Sequence, residues 1–157
     1  MGITIFFFAS WLVCVAFAVM PKKLSLVENT FVYLIILIVS INFSWIIIEE
    51  FKFITLTEDG LDYTAHILNR SVILPMLIIM QLNLIQKSNS VAKSVVIVIS
   101  TVAIMLGLSF LSTQLNITTH EKWNFGYEVI YFLTLHLIGY YVLKAFRKIA
   151  YSEVKNT

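Results

Sequence analysis

Charge is scarce in this chain. Of 157 residues only 13% are Asp, Glu, Lys or Arg, against 59% hydrophobic, and the mean hydropathy is +0.89. A water-soluble surface needs more polar cover than this, so a soluble globular domain is excluded. Cysteine is nearly missing too. Cys14 stands alone inside the first apolar run, which rules out an intrachain disulfide framework and any paired-cysteine metal site and leaves Cys14 as a small hydrophobe. A formal charge of +2, without a dense Lys/Arg cluster, gives no footprint for nucleic acid, and no nucleic-acid partner is expected. Internal repeats, low-complexity tracts and motifs that name a reaction are also missing.

What the sequence has is apolar runs long enough to cross a bilayer, at about 20 residues per helical crossing. Five spans are predicted, at about 2–20, 26–48, 61–86, 91–113 and 119–148. The first is uncharged and stops at Pro21-Lys22-Lys23. Its Ala16-Phe17-Ala18 has the small-residue pattern of a signal cleavage site, but a signal carries positive charge before its apolar stretch and here the charge follows, so the helix is read as retained. Ser25 and Glu28 have the S-x-x-E spacing of a capping box at the start of the second span. After Glu49-Glu50 comes the longest polar connection, whose Thr57-Glu58-Asp59-Gly60 reads as a turn into a helix. Pro75 lies inside the third span, removes a backbone donor and is expected to kink it. Thr118 and Glu121 suggest a second capping box at the start of the fifth span, with Trp123 at the interface. These runs are apolar at nearly every position, whereas a transmembrane strand alternates. The fold class is therefore all-α, an integral membrane bundle of five transmembrane helices.

Lys22, Lys23, Lys87, Lys93, Lys144, Arg147, Lys148 and Lys155 fall on one side of such a bundle, and Lys52, Arg70 and Lys122 on the other. The positive-inside rule then puts the N-terminus out and the C-terminus in the cytoplasm, as an odd number of spans requires. Glu49, Glu50, Glu58, Asp59, Asp62, Glu121 and Glu128 make the outer side acidic, leaving Glu28 and Glu153 inside.

Two sets of residues could carry chemistry. Asp62, His66 and Arg70 recur at four-residue spacing and share a helical face near the outer interface, and Glu49 and Glu50 end the neighbouring helix at similar depth. Carboxylates with an imidazole can ligate a cation or hold a water for general-base chemistry, so Glu49, Glu50, Asp62 and His66 are the catalytic candidates. The bland alternative is a solvated rim, with Asp62 favouring a helix N-terminus and Arg70 snorkelling outward. The second set centres on His136, about ten residues and roughly 15 Å into the fifth helix, near the bilayer midplane. Asn42, Gln81, Ser100 and Thr101 come at comparable depth and would form a polar layer holding helices together, or a ligand or proton path. His66 and His136 differ in depth and lie in no haem-attachment motif. Neither a metal site nor a cofactor is implied. Asn116-Ile117-Thr118 has the form of a glycosylation sequon, and the tyrosines of the last span suit packing and interfacial belts.

Arg70 and Pro75 in the third span, Gln81 after them, and Trp123-Asn124-Phe125-Gly126-Tyr127 opening a Tyr-rich helix that ends in Lys144-Ala145-Phe146-Arg147-Lys148 form a combination over the latter half of the chain. It resembles an uncharacterised family of small multi-span membrane proteins from spore-forming Gram-positive bacteria. The resemblance implies a bacterial plasma-membrane setting and transfers no catalytic residue. With short loops, function must lie in the bundle, its acidic rim or a partner helix, and a non-enzymatic role is favoured. The first expectation is a binding or accessory subunit that meets lipid, a second copy or another membrane protein through Asn42, Gln81, His136 and Arg70. A small transporter with His136 and Gln81 on its path, and an interfacial enzyme built on the acidic rim, are the alternatives.

Overall fold

The computed structural model describes residues 1–154, with side chains described through residue 150; Lys155 and the side chain of Glu153 lie outside the described residues. Five helices are long and apolar enough to cross a membrane. They are α1 (Gly2–Val19), α2 (Leu26–Glu50), α3 (Gly60–Lys87), α4 (Val91–Gln114) and α5 (Phe125–Val154). Two short strands, β1 (Ile54–Leu56) and β2 (Thr118–His120), pair antiparallel with Ile54 opposite His120 and Leu56 opposite Thr118.

The third helix is the hub. Half of its most apolar window is buried, against 22% for α1, α2 and α4, and it packs on each of the other four helices. Its buried Ile73, Ile78 and Leu82 meet Val32 and Ile36 of α2 and Leu135 of α5 in one core. The outer helices each bury a stripe and expose the rest, including Phe7, Trp11, Ile38, Ile99, Phe110 and Leu137. In water that much exposed apolar surface would aggregate, whereas in hydrocarbon it is already solvated.

The two ends of the bundle are built differently. At one end the β1–β2 ribbon ties the α2–α3 connection to the α4–α5 connection, and the start of α1 abuts both. A Cβ on Gly2 would fall 2.6 Å from Asp62 Oδ1 and 2.7 Å from Ile117 Cδ1, so a larger residue would have to push both side-chain ends aside. At the opposite, basic end lie the α1–α2 and α3–α4 turns, the end of α5, and Lys22, Lys23, Lys87, Lys93, Lys144, Arg147 and Lys148.

The helix limits follow local chemistry. Ser25 and Glu28 exchange reciprocal bonds at the start of α2, and Asp59 Oδ1 accepts from the Leu61 amide to start α3. Asn116 closes α4 in the left-handed conformation, φ 54°; its amide donates to Thr113 O and the Ile117 amide to Ser112 O, which is a Schellman closure with asparagine in place of glycine. The asparagine of the sequon is thus a helix terminator, with Ile117 fully buried behind it.

Two expectations need correction. The fifth helix does not start near residue 119 with a Thr118–Glu121 box. Thr118 is in β2, the Glu121 amide donates to Phe53 O, and the helix begins at Phe125 with Asn124 Oδ1 accepting from the Tyr127 amide. Pairing the connection to β1 satisfies backbone groups that a lone helical turn would leave orphaned. Pro75 does not act alone either. The irregularity falls one turn earlier, as a π-turn at Asn69–Ile73 through which the helix continues past the proline.

Candidate functional site

Pro75 has no amide to give the Ser71 carbonyl one turn back, and the π-turn sends the Leu74 amide to Asn69 O, which leaves the Arg70 carbonyl without its usual donor as well. Neighbouring helices supply the replacements. The Tyr33 hydroxyl donates to Ser71 O at 2.8 Å, Ser40 Oγ to Arg70 O at 3.4 Å, and the Tyr131 hydroxyl to Ser40 Oγ at 3.4 Å. This network fixes the backbone of Arg70. Because helix side chains tilt toward the helix N-terminus, the guanidinium is directed to the ribbon end.

There it meets a cavity of about 80 Å³, room for several waters or one small polar group. His66, Asn69 and Arg70 enter from α3, Ser109 and Ser112 from α4, and Glu128 and Tyr131 from α5. Phe43 and Ser44 enter from α2, and the ribbon closes over with Ile54, Thr118 and His120. The electrostatics are unbalanced. No carboxylate lies within 4 Å of Arg70; the one ion pair among the described residues joins Arg147 and Glu28 at the other end. Arg70 Nε and His66 Nε2 are buried and have no hydrogen-bond partner. Glu128 is buried and accepts a hydrogen bond from the Ser109 hydroxyl, with His120 in electrostatic reach.

No family model, curated protein or solved structure matches the chain. What the cavity does must therefore be argued from its own residues. Arginine within a spanning helix costs about 2.5–3.5 kcal/mol on insertion scales, and an arginine held in a low-dielectric site without a counter-ion adds to that. The half-buried Arg70, with its unpartnered Nε, stands at the cavity.

Other residues singled out in the sequence fall elsewhere. Asp62 shares a helix with His66 and Arg70 but turns toward α1, with Oδ1 buried against Gly2 and unpartnered. Glu49 and Glu50 are exposed. Glu49 lines a separate groove between α2 and α3, together with Asn42, Trp45, Tyr63 and Arg70 itself. Asn42 is exposed and bonds to Ile38 O of its own helix. Gln81 and His136 are buried at 3% and 5% exposure; His136 Nδ1 is 2.6 Å from Phe132 O, and His136 Nε2 and Gln81 Oε1 have no partner. Thr101 bonds to Ile97 O and Ser100 is exposed. No hydrogen bond joins one member of the expected midplane layer to another among the described residues.

The sequence reading passed over Glu128, Ser109 and His120 as site residues. Glu128 was visible only as one more outer acid. Its signal was position, an acid in the first turn of a helix whose neighbouring connection pairs away its polar groups. His120 gave no signal until β2 paired with β1.

Proposed function

We propose that this chain is a multi-pass bacterial plasma-membrane protein, with the ribbon end outside and the basic end in the cytoplasm. It acts there as a non-enzymatic binding module whose ribbon-end cavity receives an anionic group on Arg70. The membrane reading is supported by five helices long and apolar enough to cross a bilayer and by their exposed apolar faces, and the orientation by the gathering of Lys and Arg at the basic end. The binding reading rests on one observation, a guanidinium at a cavity with no carboxylate within 4 Å and a buried Nε without a partner. Arginine in such a setting suits bidentate recognition of phosphate or carboxylate.

The test is thermal unfolding of the full chain in a neutral detergent with inorganic phosphate or short-chain phosphatidylglycerol added. At about 100 times the dissociation constant, binding stabilises by about 2.7 kcal/mol. That gain is expected for the wild type and lost in Arg70→Gln. Equal responses, or none with any anion, would remove the reading.

A second reading has an observation of its own. Glu128, Ser109, His66 and His120 line the same cavity, and a carboxylate with imidazoles is acid/base equipment in kind. That supports an interfacial enzyme built on Glu128 and the imidazoles instead of on Glu49, Glu50 and Asp62, and hydrolysis or transfer of a bound head group by the wild type but not by Glu128→Gln is its sign. Transport through His136 and Gln81 has less support, since neither lines the cavity or the grooves beside it.

A further inference from the structure

We propose that the ligand is a zwitterionic aminophospholipid, with its phosphate on Arg70, its primary ammonium on Glu128, and an acyl chain in the apolar groove between α2 and α5. This rests on Arg70 as the anion anchor and adds a second charge and a tail.

The second charge follows from a pairing that does not happen. Arg70 and Glu128 line one cavity, yet they form no ion pair. Opposite charges attract by about 4 kcal/mol at 4 Å even with an effective dielectric of about 20, so holding them apart in a small shared space is unfavourable unless something joins them. Tyr131 lies in electrostatic reach of both, and its hydroxyl is tied back to Ser40, leaving the space between the two charges to the cavity. A group carrying its own plus and minus completes both sites. Ser109 occupies one Glu128 oxygen, and an ammonium N–H suits the other. A cavity of about 80 Å³ suits a two-carbon ethanolamine. Choline is bulkier, and its trimethylammonium has no N–H to give.

The tail follows from what adjoins the cavity. The ribbon covers it on the aqueous side, whereas Phe43, Trp123 and Tyr131 line both the cavity and a groove of about 270 Å³ between α2 and α5. That groove is otherwise walled by apolar side chains such as Ile130, Leu135 and Ile138. Its direction matches a lipid of the ribbon-side leaflet, polar at the bundle end and apolar toward the midplane. Phe43 stacks on Tyr131 at 4.2 Å between ring centroids, and these rings with Trp123 form the border that cavity and groove share.

The experiment reconstitutes the full chain in phosphatidylcholine nanodiscs containing a minor fraction of phosphatidylethanolamine or phosphatidylglycerol. Lipid retained after gentle detergent exchange is counted by native mass spectrometry, and free phosphoethanolamine is added in a parallel stability assay. Phosphatidylethanolamine is expected to be enriched about tenfold or more over phosphatidylcholine, as a charge-assisted hydrogen bond allows. Glu128→Gln should abolish the preference for ethanolamine over glycerol, and Arg70→Gln should abolish retention of both. If Arg70 governs retention but phosphatidylglycerol equals phosphatidylethanolamine, or Glu128→Gln changes nothing, the zwitterion is wrong while the anion reading stands. If free phosphoethanolamine stabilises the protein as well as the lipid does, the tail is wrong. If no lipid or anion depends on Arg70, both readings fall. Should Arg70→Gln not fold, the isosteric Glu128→Gln decides the selectivity by itself.

Discussion

The two ends of this bundle contain similar polar residues in opposite states of satisfaction. At the basic end the buried asparagines and the Glu28–Arg147 pair complete one another, although Gln81 Oε1, two residues from Asn83, has no partner. Asn83 Oδ1 accepts from the Lys23 and Leu24 amides at 2.9 and 3.0 Å, its Nδ2 donates to Asn29 Oδ1 and Ile79 O, and Asn29 returns bonds to Leu24 O and Ser25 O. Beside them Arg147 Nε meets Glu28 Oε1 at 2.6 Å and its Nη1 meets Gln86. At the ribbon end Asp62, His66 and Arg70 each keep a buried atom without a partner. Satisfied networks fix structure, and unsatisfied ones around a cavity hold recognition capacity in reserve. The comparison separates two arginines: Arg147 is paired with Glu28 and Gln86, whereas Arg70 keeps a buried Nε without a partner.

The largest way to break this contrast is at Asn83. Its side chain is fully buried, and Asn83→Leu would orphan two amides of the α1–α2 turn and the Asn29 carboxamide at once. At about 1–3 kcal/mol per unsatisfied group, a loss of about 3 kcal/mol or more is expected in reversible unfolding in mixed micelles. If Asn83→Leu unfolds like the wild type, the basic end is not the joint described.

How far the sequence foretold this contrast depends on whether a feature is local. The five long apolar helices are apolar runs, and the Ser25–Glu28 box spans four residues, so both could be read directly. Pro75 pointed to released backbone carbonyls, although which hydroxyls would take them, Tyr33 and Ser40, depended on packing. Spacing put Asp62, His66 and Arg70 on one face but could not say that this face divides, Asp62 to α1 and the other two to the cavity. The ribbon was invisible because its two strands are three residues each and lie far apart in the chain, and without it Thr118 and Glu121 imitate a capping box. Asn29 with Asn83, and Glu128 with Arg70, are relations between helices, which periodicity along one helix does not encode.

A middle-sized effect comes from the Glu28–Arg147 pair. Its side chains are 11% and 31% exposed, between a surface pair worth about 0–1 kcal/mol and a buried pair whose breaking costs about 3–5 kcal/mol. A double-mutant cycle with Glu28→Gln and Arg147→Gln should therefore give a coupling of about 1–2 kcal/mol. Glu28 also closes the capping box, so Glu28→Gln alone should cost less than Glu28→Ala, because glutamine still accepts the Ser25 amide. A coupling near zero would make the pair ornamental and narrow the difference between the ends.

The smallest effect on stability is the most informative. Arg70→Met keeps the apolar stem of the side chain and removes the guanidinium group, whose charge has no partner. If Arg70 were a structural residue like Arg147, its loss would destabilise the unliganded protein. If it is held ready for a ligand, methionine relieves an unpaired half-buried charge, and the unliganded protein in neutral detergent should unfold at the same midpoint or gain up to about 1 kcal/mol, as replacing desolvated ions by apolar side chains often does. The stabilisation by anions should vanish in the same sample. A variant that loses more than about 1 kcal/mol without ligand would put Arg70 among the joints, and the cavity would then be only a by-product of packing around it.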